Sequence, residues 1–180
     1  MVRSVPKHCR PLERYTRPEI RSTILTQASK TDTTPAQAEH IYMLWDRFLK
    51  EGDMAGLACI YAEHATLQSP LVPTFYGPDT HLVCGRDEIV RFLDETVRRR
   101  PNDQVHWHRD GYLWNGRTLI WEYPAIIDGG FQVDLAECMD LAEGLIEHHR
   151  IYWGWFGVEQ MKRSTIEKVK EGRLNDYPLA

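Results

Sequence analysis

The chain has 180 residues, of which 42% are hydrophobic and 27% are charged, and its formal net charge is −4. This length and composition are typical of one globular domain, and the acidic balance gives no indication of a nucleic-acid partner. The sequence holds no apolar run of membrane-spanning length and no N-terminal pattern of a signal peptide. Four scattered cysteines without C-x-x-C spacing favour reduced thiols in a cytoplasmic protein.

Residues 1–34 are predicted to form an extended arm that precedes the globular domain. Within residues 1–30, seven Lys or Arg face only Glu13 and Glu19, so the arm is basic while the remainder of the chain is acidic. Two interpretations stay open for it: a solvated segment, or one that touches an acidic neighbour such as a dimer mate.

Three helices come next, with one strand among them. They are predicted over residues 35–51, 54–63 and 86–100. The pair Thr34-Pro35 is a typical helix start, because a hydroxyl caps the first turn and proline suits the first helical position. Between the second and third helices the sequence predicts a strand at 65–69 and a loop at 70–84 that is long enough to act as a lid.

From residue 104 onward strand patterns dominate, until a C-terminal helix and tail at 158–180. Asn115-Gly116 lies between two runs of strand-forming residues and predicts a hairpin of 105–114 with 117–127. Which face of this hairpin points inward stays open. Glu122 shares one face with Trp107, and Tyr123 shares the other face with Trp121 and His108.

A second hairpin, over residues 133–156, carries the most informative pattern in the chain. Its odd positions are apolar apart from Glu137, Glu147 and His149, whereas its even positions are more polar. A three-residue loop at 142–144 pairs odd positions with odd positions and sets Glu137 directly opposite His149, with Cβ atoms roughly 5 Å apart. Such a pair can transfer protons near neutral pH, or it can simply be a satisfied buried pair that fixes the register.

The order of elements predicts an α+β fold. We expect a strongly curved antiparallel sheet with three helices that form a cone-shaped pocket, together with the N-terminal arm and the C-terminal helix. Six tryptophans and eight tyrosines, several of them on strands, favour a flat, hydrophobic ligand.

Several short motifs carry a resemblance to a known superfamily. They are Gly52-Asp53 before the second helix, Y-A-x-x-A-T at 61–66, G-R-x-x-I at 85–89, and G-x-I-x-x-x-x-x-Y-W at 144–153. With these motifs, residues 35–157 resemble the nuclear transport factor 2-like superfamily, and within it the SnoaL-like and ketosteroid isomerase-like enzymes. The resemblance implies a domain that encloses a cone-shaped cavity, but the superfamily hosts many activities.

Known catalytic positions of the superfamily are only partly retained. The resemblance to steroid isomerases puts the position of the general base on Ser69, that of the oxyanion-hole tyrosine on Trp45, and that of the protonated aspartate on Glu137. The pocket tryptophan of those enzymes falls on Trp153, a direct match. The steroid isomerase set is therefore not intact.

The residue set of limonene epoxide hydrolase is also absent. The resemblance puts its water-binding asparagine on Ser69, its tyrosine on Leu67 and its last-strand aspartate on Ile151. What the resemblance implies is a pocket whose acid is Glu137 and whose other groups are new.

We therefore expect a cofactor-independent enzyme that performs acid/base chemistry on a hydrophobic cyclic or polyketide/terpenoid-like substrate, by isomerisation, cyclisation or dehydration. Two alternatives stay open: a non-catalytic ligand-binding or dimerisation module, and a hydrolase that activates water with Glu137 and His149. The expected catalytic residues are Glu137 and His149. The expected substrate-binding residues are Trp45, Leu67, Ser69, Trp121, Tyr123, Met139, Ile151 and Trp153.

No metal site is expected. His148 and His149 are adjacent on one strand and so point to opposite faces, while His106 and His108 lack a third ligand of suitable type. The outer face of the curved sheet, which would carry His148, Arg150 and Tyr152, is expected to form a homodimer interface.

Overall fold

The computed structural model describes residues 32–101, 105–106, 111–126 and 132–174, with side chains for all of them except 105–106. The helices are α1 Pro35–Glu51, α2 Met54–Ile60, α3 Leu71–Tyr76, α4 Arg86–Arg99 and α5 Trp155–Lys170. The strands are β1 Tyr61–Gln68, β2 Val83–Cys84, β3 Val105–His106, β4 Leu113–Trp114, β5 Thr118–Glu122, β6 Ala125–Ile126, β7 Gln132–Val133, β8 Leu135–Ala142 and β9 Leu145–Trp153. Most of the predicted arm, the residues Trp107 and His108, and the end of the tail lie outside the described residues.

The first helix has the predicted bounds and the predicted cap. The Thr34 Oγ1 atom accepts from the Gln37 amide at 3.3 Å, while the Gln37 Oε1 atom accepts from the Thr34 amide at 2.8 Å. This reciprocal pair is a capping box, and Gly52 ends the helix in the left-handed conformation with φ 70°. The structure thus confirms the helix start at Thr34-Pro35.

The second predicted helix is too long. Helix α2 ends at Ile60, and β1 begins at Tyr61 instead of residue 65, because Tyr61 pairs with Ile146 of β9. Tertiary pairing here outweighs the good helix propensity of Ala62 and Glu63. The predicted loop at 70–84 is also partly ordered, since it contains α3 and the short strand β2.

The third and last helices are close to their predicted positions. Helix α4 covers Arg86–Arg99, and α5 begins at Trp155, three residues before the predicted start at 158. Helix α4 packs on β1, α2 and α5, so the last turn of α4 lies beside the C-terminal helix. In the described part of the chain, no helix combines the length and apolarity needed to cross a membrane.

The main sheet has six strands in the order β2-β1-β9-β8-β5-β4 and is curved and open. Neighbouring strands are antiparallel except β1 and β9, which run parallel. Strands β3, β6 and β7 form a second, three-stranded sheet. The predicted α+β class is confirmed.

The predicted hairpin 105–127 divides between the two sheets. Strands β4 and β5 join the main sheet, whereas β3 and β6 join the small one, and Pro124 interrupts the run between β5 and β6. Proline has no amide to donate to a strand ladder, so this interruption has a direct cause. The Asn115 side chain accepts from the amides of Arg117 and Thr118, which places the turn on Gly116-Arg117.

The hairpin of β8 and β9 has a different register from the predicted one. Its loop has two residues, Glu143 (φ 55°) and Gly144 (φ 76°), and both are left-handed, as a type I′ turn requires. Glu147 is then an extra, bulged residue, because Leu141 pairs with Ile146 and Asp140 pairs with His148. Odd positions beyond the bulge do pair with odd positions, as predicted.

The bulge changes which residues are opposite one another. Glu137 pairs with Ile151, and His149 pairs with Met139, so the expected direct opposition of Glu137 and His149 is wrong. Glu147 also leaves the predicted inward face and lies near the exposed His64 instead. The buried residue at that end of the strand is Ile146.

The cysteines differ in state. Cys59 and Cys138 are free thiols, whereas Cys84 is disulfide-bonded. The expectation of reduced thiols throughout is therefore wrong for Cys84.

Candidate functional site

Five polar or aromatic side chains from five parts of the fold meet on the buried face of the curved sheet. Helix α1 contributes Trp45, β1 contributes Tyr61, β8 contributes Glu137 and β9 contributes His149, while Tyr123 follows β5. All five are buried, and Glu137 and His149 have 0% exposure. We call this group the buried network.

Hydrogen bonds link the five side chains in a single series, from Trp45 to Tyr123. The two carboxylate oxygens of Glu137 bind different partners: Oε1 accepts from the Tyr123 hydroxyl, and Oε2 contacts His149 Nε2. On the other side of the imidazole, Nδ1 lies 2.8 Å from the Tyr61 hydroxyl, and that hydroxyl accepts from Trp45 Nε1 at 3.1 Å. Glu137 and His149 thus meet as diagonal neighbours on the sheet, although they are not directly opposite.

Counting donors assigns the tautomer of His149. An indole nitrogen can only donate, so the Tyr61 oxygen accepts from Trp45 and its own hydrogen points to His149 Nδ1. His149 then carries its proton on Nε2 and donates it to Glu137. This arrangement gives every donor in the network an acceptor.

Burial sets the acid/base properties of the network. It raises the pKa of Glu137 above the usual range, against the opposing influence of the His149 and Tyr123 hydrogen bonds. Burial also raises the pKa values of Tyr61 and Tyr123 well above normal, with the Glu137 charge adding to both. Glu137 is consequently a stronger base than an exposed carboxylate, and the two tyrosines stay neutral donors.

An apolar cavity of about 40 Å³ opens beside the network. Its lining residues are Trp45, Leu49, Leu93, Thr96, Val97, Arg100, Tyr123, Leu135, Glu137, Ile151 and Trp153. In this structure the space accommodates about three water molecules, far less than the roughly 300 Å³ of a typical small-molecule site. A hydrophobic ligand would therefore enter only after side chains at the rim move.

The predicted site residues divide into three groups. Trp45, Tyr123, Glu137, Ile151 and Trp153 line the cavity. His149 lies behind Glu137 and reaches the cavity only through it. The others, Leu67, Ser69, Trp121 and Met139, are buried but do not line the cavity.

Two of those buried residues have clear structural roles. The Ser69 Oγ atom accepts from the Leu71 amide at 3.2 Å and so supports the start of α3. Trp121 packs edge-on against Trp45, with ring centroids 5.7 Å apart. On this strand the inward face is the one that carries Trp121 and Tyr123, because Glu122 is exposed.

Sequence reasoning missed two important members of the site. Tyr61 was assigned to a helix, so its position beside His149 was not foreseen. Arg100 is absent from the expected site residues, yet it lines the cavity from the end of α4. Pro101 is the sequence signal for this position, because a proline disfavours helical conformation at the residue before it and so ends the helix at Arg100.

The histidines on the outer side of the sheet do not contribute to the cavity. The His148 imidazole makes a 2.5 Å hydrogen bond with the Thr66 hydroxyl, and His64 lies 3.4 Å from a Glu147 carboxylate oxygen. Within the described ranges, no group of three His, Cys, Asp or Glu side chains could hold a metal ion.

Known structures share this fold over most of their length. A steroid delta-isomerase from Pseudomonas aeruginosa superposes with a TM-score of 0.57 at 14% identity, covering 78% of this chain and 98% of the other. An NTF2-like protein from Anabaena variabilis gives 0.56 at 18% identity, covering 73% and 97%. A SnoaL-like protein of unknown function from Burkholderia thailandensis gives 0.55 at 15% identity, covering 68% and 98%.

Comparisons at the level of sequence add nothing to this. No protein-family model matches the chain, and no curated protein matches it. The likeness is therefore one of fold, and the chemistry has to be argued from the side chains of this chain.

Proposed function

The chain has the nuclear transport factor 2-like fold, and on that premise we propose that it catalyses proton transfer on a hydrophobic, carbonyl-bearing small molecule without a cofactor. The reaction would be an isomerisation, cyclisation or dehydration. Steroid isomerase chemistry on this fold occurs in at least one of the similar structures. The proposal for this chain depends on Glu137 and its partners.

One observation carries the proposal: Glu137 is a fully buried carboxylate that lines an apolar cavity. Its pKa is raised by burial, which brings a general base closer to neutral pH. Apolar walls also exclude water from the proton-transfer step. A purely structural ion pair would have no need to border a cavity.

The groups around Glu137 suggest a division of roles. Glu137 removes a proton from the carbon next to the substrate carbonyl; the electron pair of that C–H bond forms a carbon–carbon double bond, and the π pair of the carbonyl moves onto its oxygen. Tyr123, a neutral donor on the same cavity wall, turns its hydroxyl from Glu137 to this oxygen and stabilises the enolate. Glu137 then returns the proton to another carbon, or the enolate expels a hydroxide that leaves as water with that proton.

His149 acts as a positioning residue in this scheme. Its Nε2–H holds the second carboxylate oxygen, which stays occupied while the first is freed by Tyr123. Tyr61 keeps the His149 proton on Nε2 by donating to Nδ1. Proton transfer by a positioned carboxylate of this type typically contributes about 10²–10⁴ in rate.

A non-catalytic ligand-binding module is the second candidate function. It is favoured by the complete pairing of the Glu137 oxygens within the network, which leaves neither oxygen without a hydrogen-bond partner. A hydrolase that uses Glu137 and His149 to activate water is the third, since the cavity has room for water.

The test begins with a thermal-shift screen of cyclic ketones and enones. Each compound that binds is then incubated with the protein in D₂O. The proposal expects deuterium at the carbon next to the carbonyl, measured by mass spectrometry. The Glu137→Gln variant should lose exchange by about 10²–10⁴. Its melting temperature should fall only as far as one unmatched buried donor requires, so the measurement is made on protein that is still folded. The acid limb of the wild-type rate should have an apparent pKa above that of an ordinary glutamate, because burial raises it.

Glu122→Gln is the matched control, because Glu122 is exposed on the face of the sheet opposite to the one that carries Trp121 and Tyr123. The Glu122→Gln variant should give the same rate of deuterium exchange as the wild type. Full exchange activity in a folded Glu137→Gln protein would exclude the proton-transfer mechanism. Ligands that raise the melting temperature without any deuterium exchange or product formation would favour the binding module.

A further inference from the structure

Helix α4 ends in three consecutive arginines that differ in their partners. Arg98 forms ion pairs with Asp94 and Glu95 on the helix surface, and Arg99 pairs with Glu95 at 3.0 Å. For the third, Arg100, the described residues include no side-chain ion pair or hydrogen bond. It is also the one whose side chain lines the cavity.

Among the described residues, the surroundings of Arg100 supply no side-chain anion that is bonded to it. The guanidinium is partly buried, and this burial lowers its pKa, with the nearby Tyr123 acting in the opposite direction. The neighbouring charged group on α5 is another cation, Lys168, whose Nζ atom donates to the backbone carbonyls of Arg98 and Arg100. A partly desolvated guanidinium normally has a carboxylate partner, because losing water is costly for a charge.

The lining of the cavity therefore combines both signs of charge with apolar side chains. Glu137 contributes a carboxylate from strand β8, where His149 and Tyr123 hold it. Arg100 contributes a cation from the end of α4, and apolar residues such as Leu93 and Val97 also line the cavity. A ligand with an anionic group at one end and a hydrophobic body would match this distribution of charge.

We infer that Arg100 binds a carboxylate group of the ligand, so that the protein acts on hydrophobic carboxylic acids. A guanidinium presents two parallel N–H groups that match the two oxygens of a carboxylate. The ordinary alternative is an arginine that is merely solvated at a rim, and it predicts no preference for acids. The inference rests on the proposed function only in taking the cavity as the ligand site, and it requires no turnover.

The test measures binding by isothermal titration calorimetry with matched acid and alcohol probes at pH 7.5. The pairs are benzoate with benzyl alcohol, cyclohexanecarboxylate with cyclohexylmethanol, and 2-naphthoate with 2-naphthylmethanol. In at least one pair the acid should bind at least about tenfold more tightly than the alcohol. Arg100→Met should reduce that ratio to about one and leave the affinity for the alcohol unchanged.

Two further variants separate specific recognition from general charge. Arg98→Met removes the same charge two positions away, at a side chain that already has ion-pair partners, and it should keep the wild-type ratio. Arg100→Lys should give an intermediate ratio, because it retains the charge and loses the paired geometry. An equal loss in Arg98→Met, an unchanged ratio in Arg100→Met, or no acid preference in any pair would overturn the inference.

The Glu137→Gln variant keeps this result independent of catalysis. It should still prefer the acid, because Arg100 is unchanged. An acid preference that persists while deuterium exchange is absent would reject the proton-transfer proposal and leave Arg100 as the anion-binding residue. Deuterium exchange on neutral ketones without any preference for acids would support the proton-transfer proposal and reject Arg100 as the anion-binding residue.

Discussion

The tautomer of His149 depends on a residue that does not line the cavity. Tyr61 lies behind the imidazole, where it joins Nδ1 to the indole of Trp45. Because indole can only donate, the direction of every hydrogen bond from Trp45 to Glu137 follows from that single N–H group. One buried tryptophan thereby fixes the tautomer that holds the candidate base.

Replacing Tyr61 with phenylalanine should separate this role from simple packing. The Tyr61→Phe variant leaves Trp45 Nε1 and His149 Nδ1 buried without their partner, so we expect it to lose about 1–3 kcal/mol of unfolding free energy in urea titrations. Nitrogen NMR of His149 should show loss of the single Nε2–H tautomer, a change that a packing defect alone would not cause.

Tyr76→Phe is a suitable control, since this ring is 41% exposed. It should leave both the unfolding free energy and the His149 spectrum unchanged. A Tyr61→Phe protein whose His149 keeps its proton on Nε2 would show that the tautomer is set by Glu137 instead.

The residue pair Glu137 and His149 could be predicted from the sequence, but not the geometry of their contact. Alternation along the strands is a local property, and it placed both side chains on the buried face. Their relative position depends on the turn and on the bulge at Glu147, which are determined by pairing with β1 as well as β8. Arg100 was missed for the same reason, because only the packing of α4 over the sheet brings it to the cavity.

At the scale of elements, α5 holds the end of α4 in place. The Lys168 side chain is 6% exposed, and its Nζ atom donates to the Arg98 carbonyl at 2.9 Å as well as to the Arg100 carbonyl. Carbonyls in the last turn of a helix lack helical partners, so this lysine satisfies two of them from outside. The last turn of α4 is also the turn that presents Arg100.

We expect Lys168→Met to lose roughly 2 kcal/mol of unfolding free energy, because hydrogen bonds from a charged donor to two buried carbonyls disappear. Lys170→Met, two residues further along at an exposed position of α5, is the control and should remain within about 0.5 kcal/mol of the wild type. Hydrogen exchange should localise the Lys168 effect to residues 96–101. Equal stabilities for the two variants would show that the contact contributes nothing measurable.

Helices and strands with strong periodicity were largely predictable, whereas the connections were not. Helix α1 has its own capping box, both α1 and α4 have apolar stripes, and both helices lie where the pattern put them. The short elements α3 and β2 depend on burial of residues such as Leu71 and Val83 against the rest of the fold. No local pattern carries that information.

For the molecule as a whole, the outer face of the sheet is the candidate assembly surface. We propose that two copies associate through it, since this face carries the 54% exposed Tyr152. Beside it the Arg150 guanidinium binds the Asp140 carboxylate with contacts of 2.8 and 2.9 Å. An exposed aromatic ring flanked by a rigid ion pair is a suitable centre for such an interface.

Sedimentation velocity should therefore find a dimer at micromolar concentration. Tyr152→Asp should shift the protein toward monomer, because it puts a charge at the centre of the interface. Tyr76→Asp, which changes an exposed tyrosine outside the sheet, should remain dimeric. A wild-type protein that sediments as a monomer at 100 µM, a concentration on the order of those at which weak assemblies form, would exclude this interface.

The bulge at Glu147 corrects a one-residue offset between strands β8 and β9. The two-residue turn puts β8 and β9 out of phase by one position, and the extra residue brings them back into phase before His149 is reached. A three-residue turn at 142–144 without a bulge would keep the same faces buried but shift the pairing by two residues, so that Glu137 would lie opposite His149 instead of Ile151. Loss of the bulge with the two-residue turn kept would pair His149 with Cys138 and turn the imidazole to the outer face.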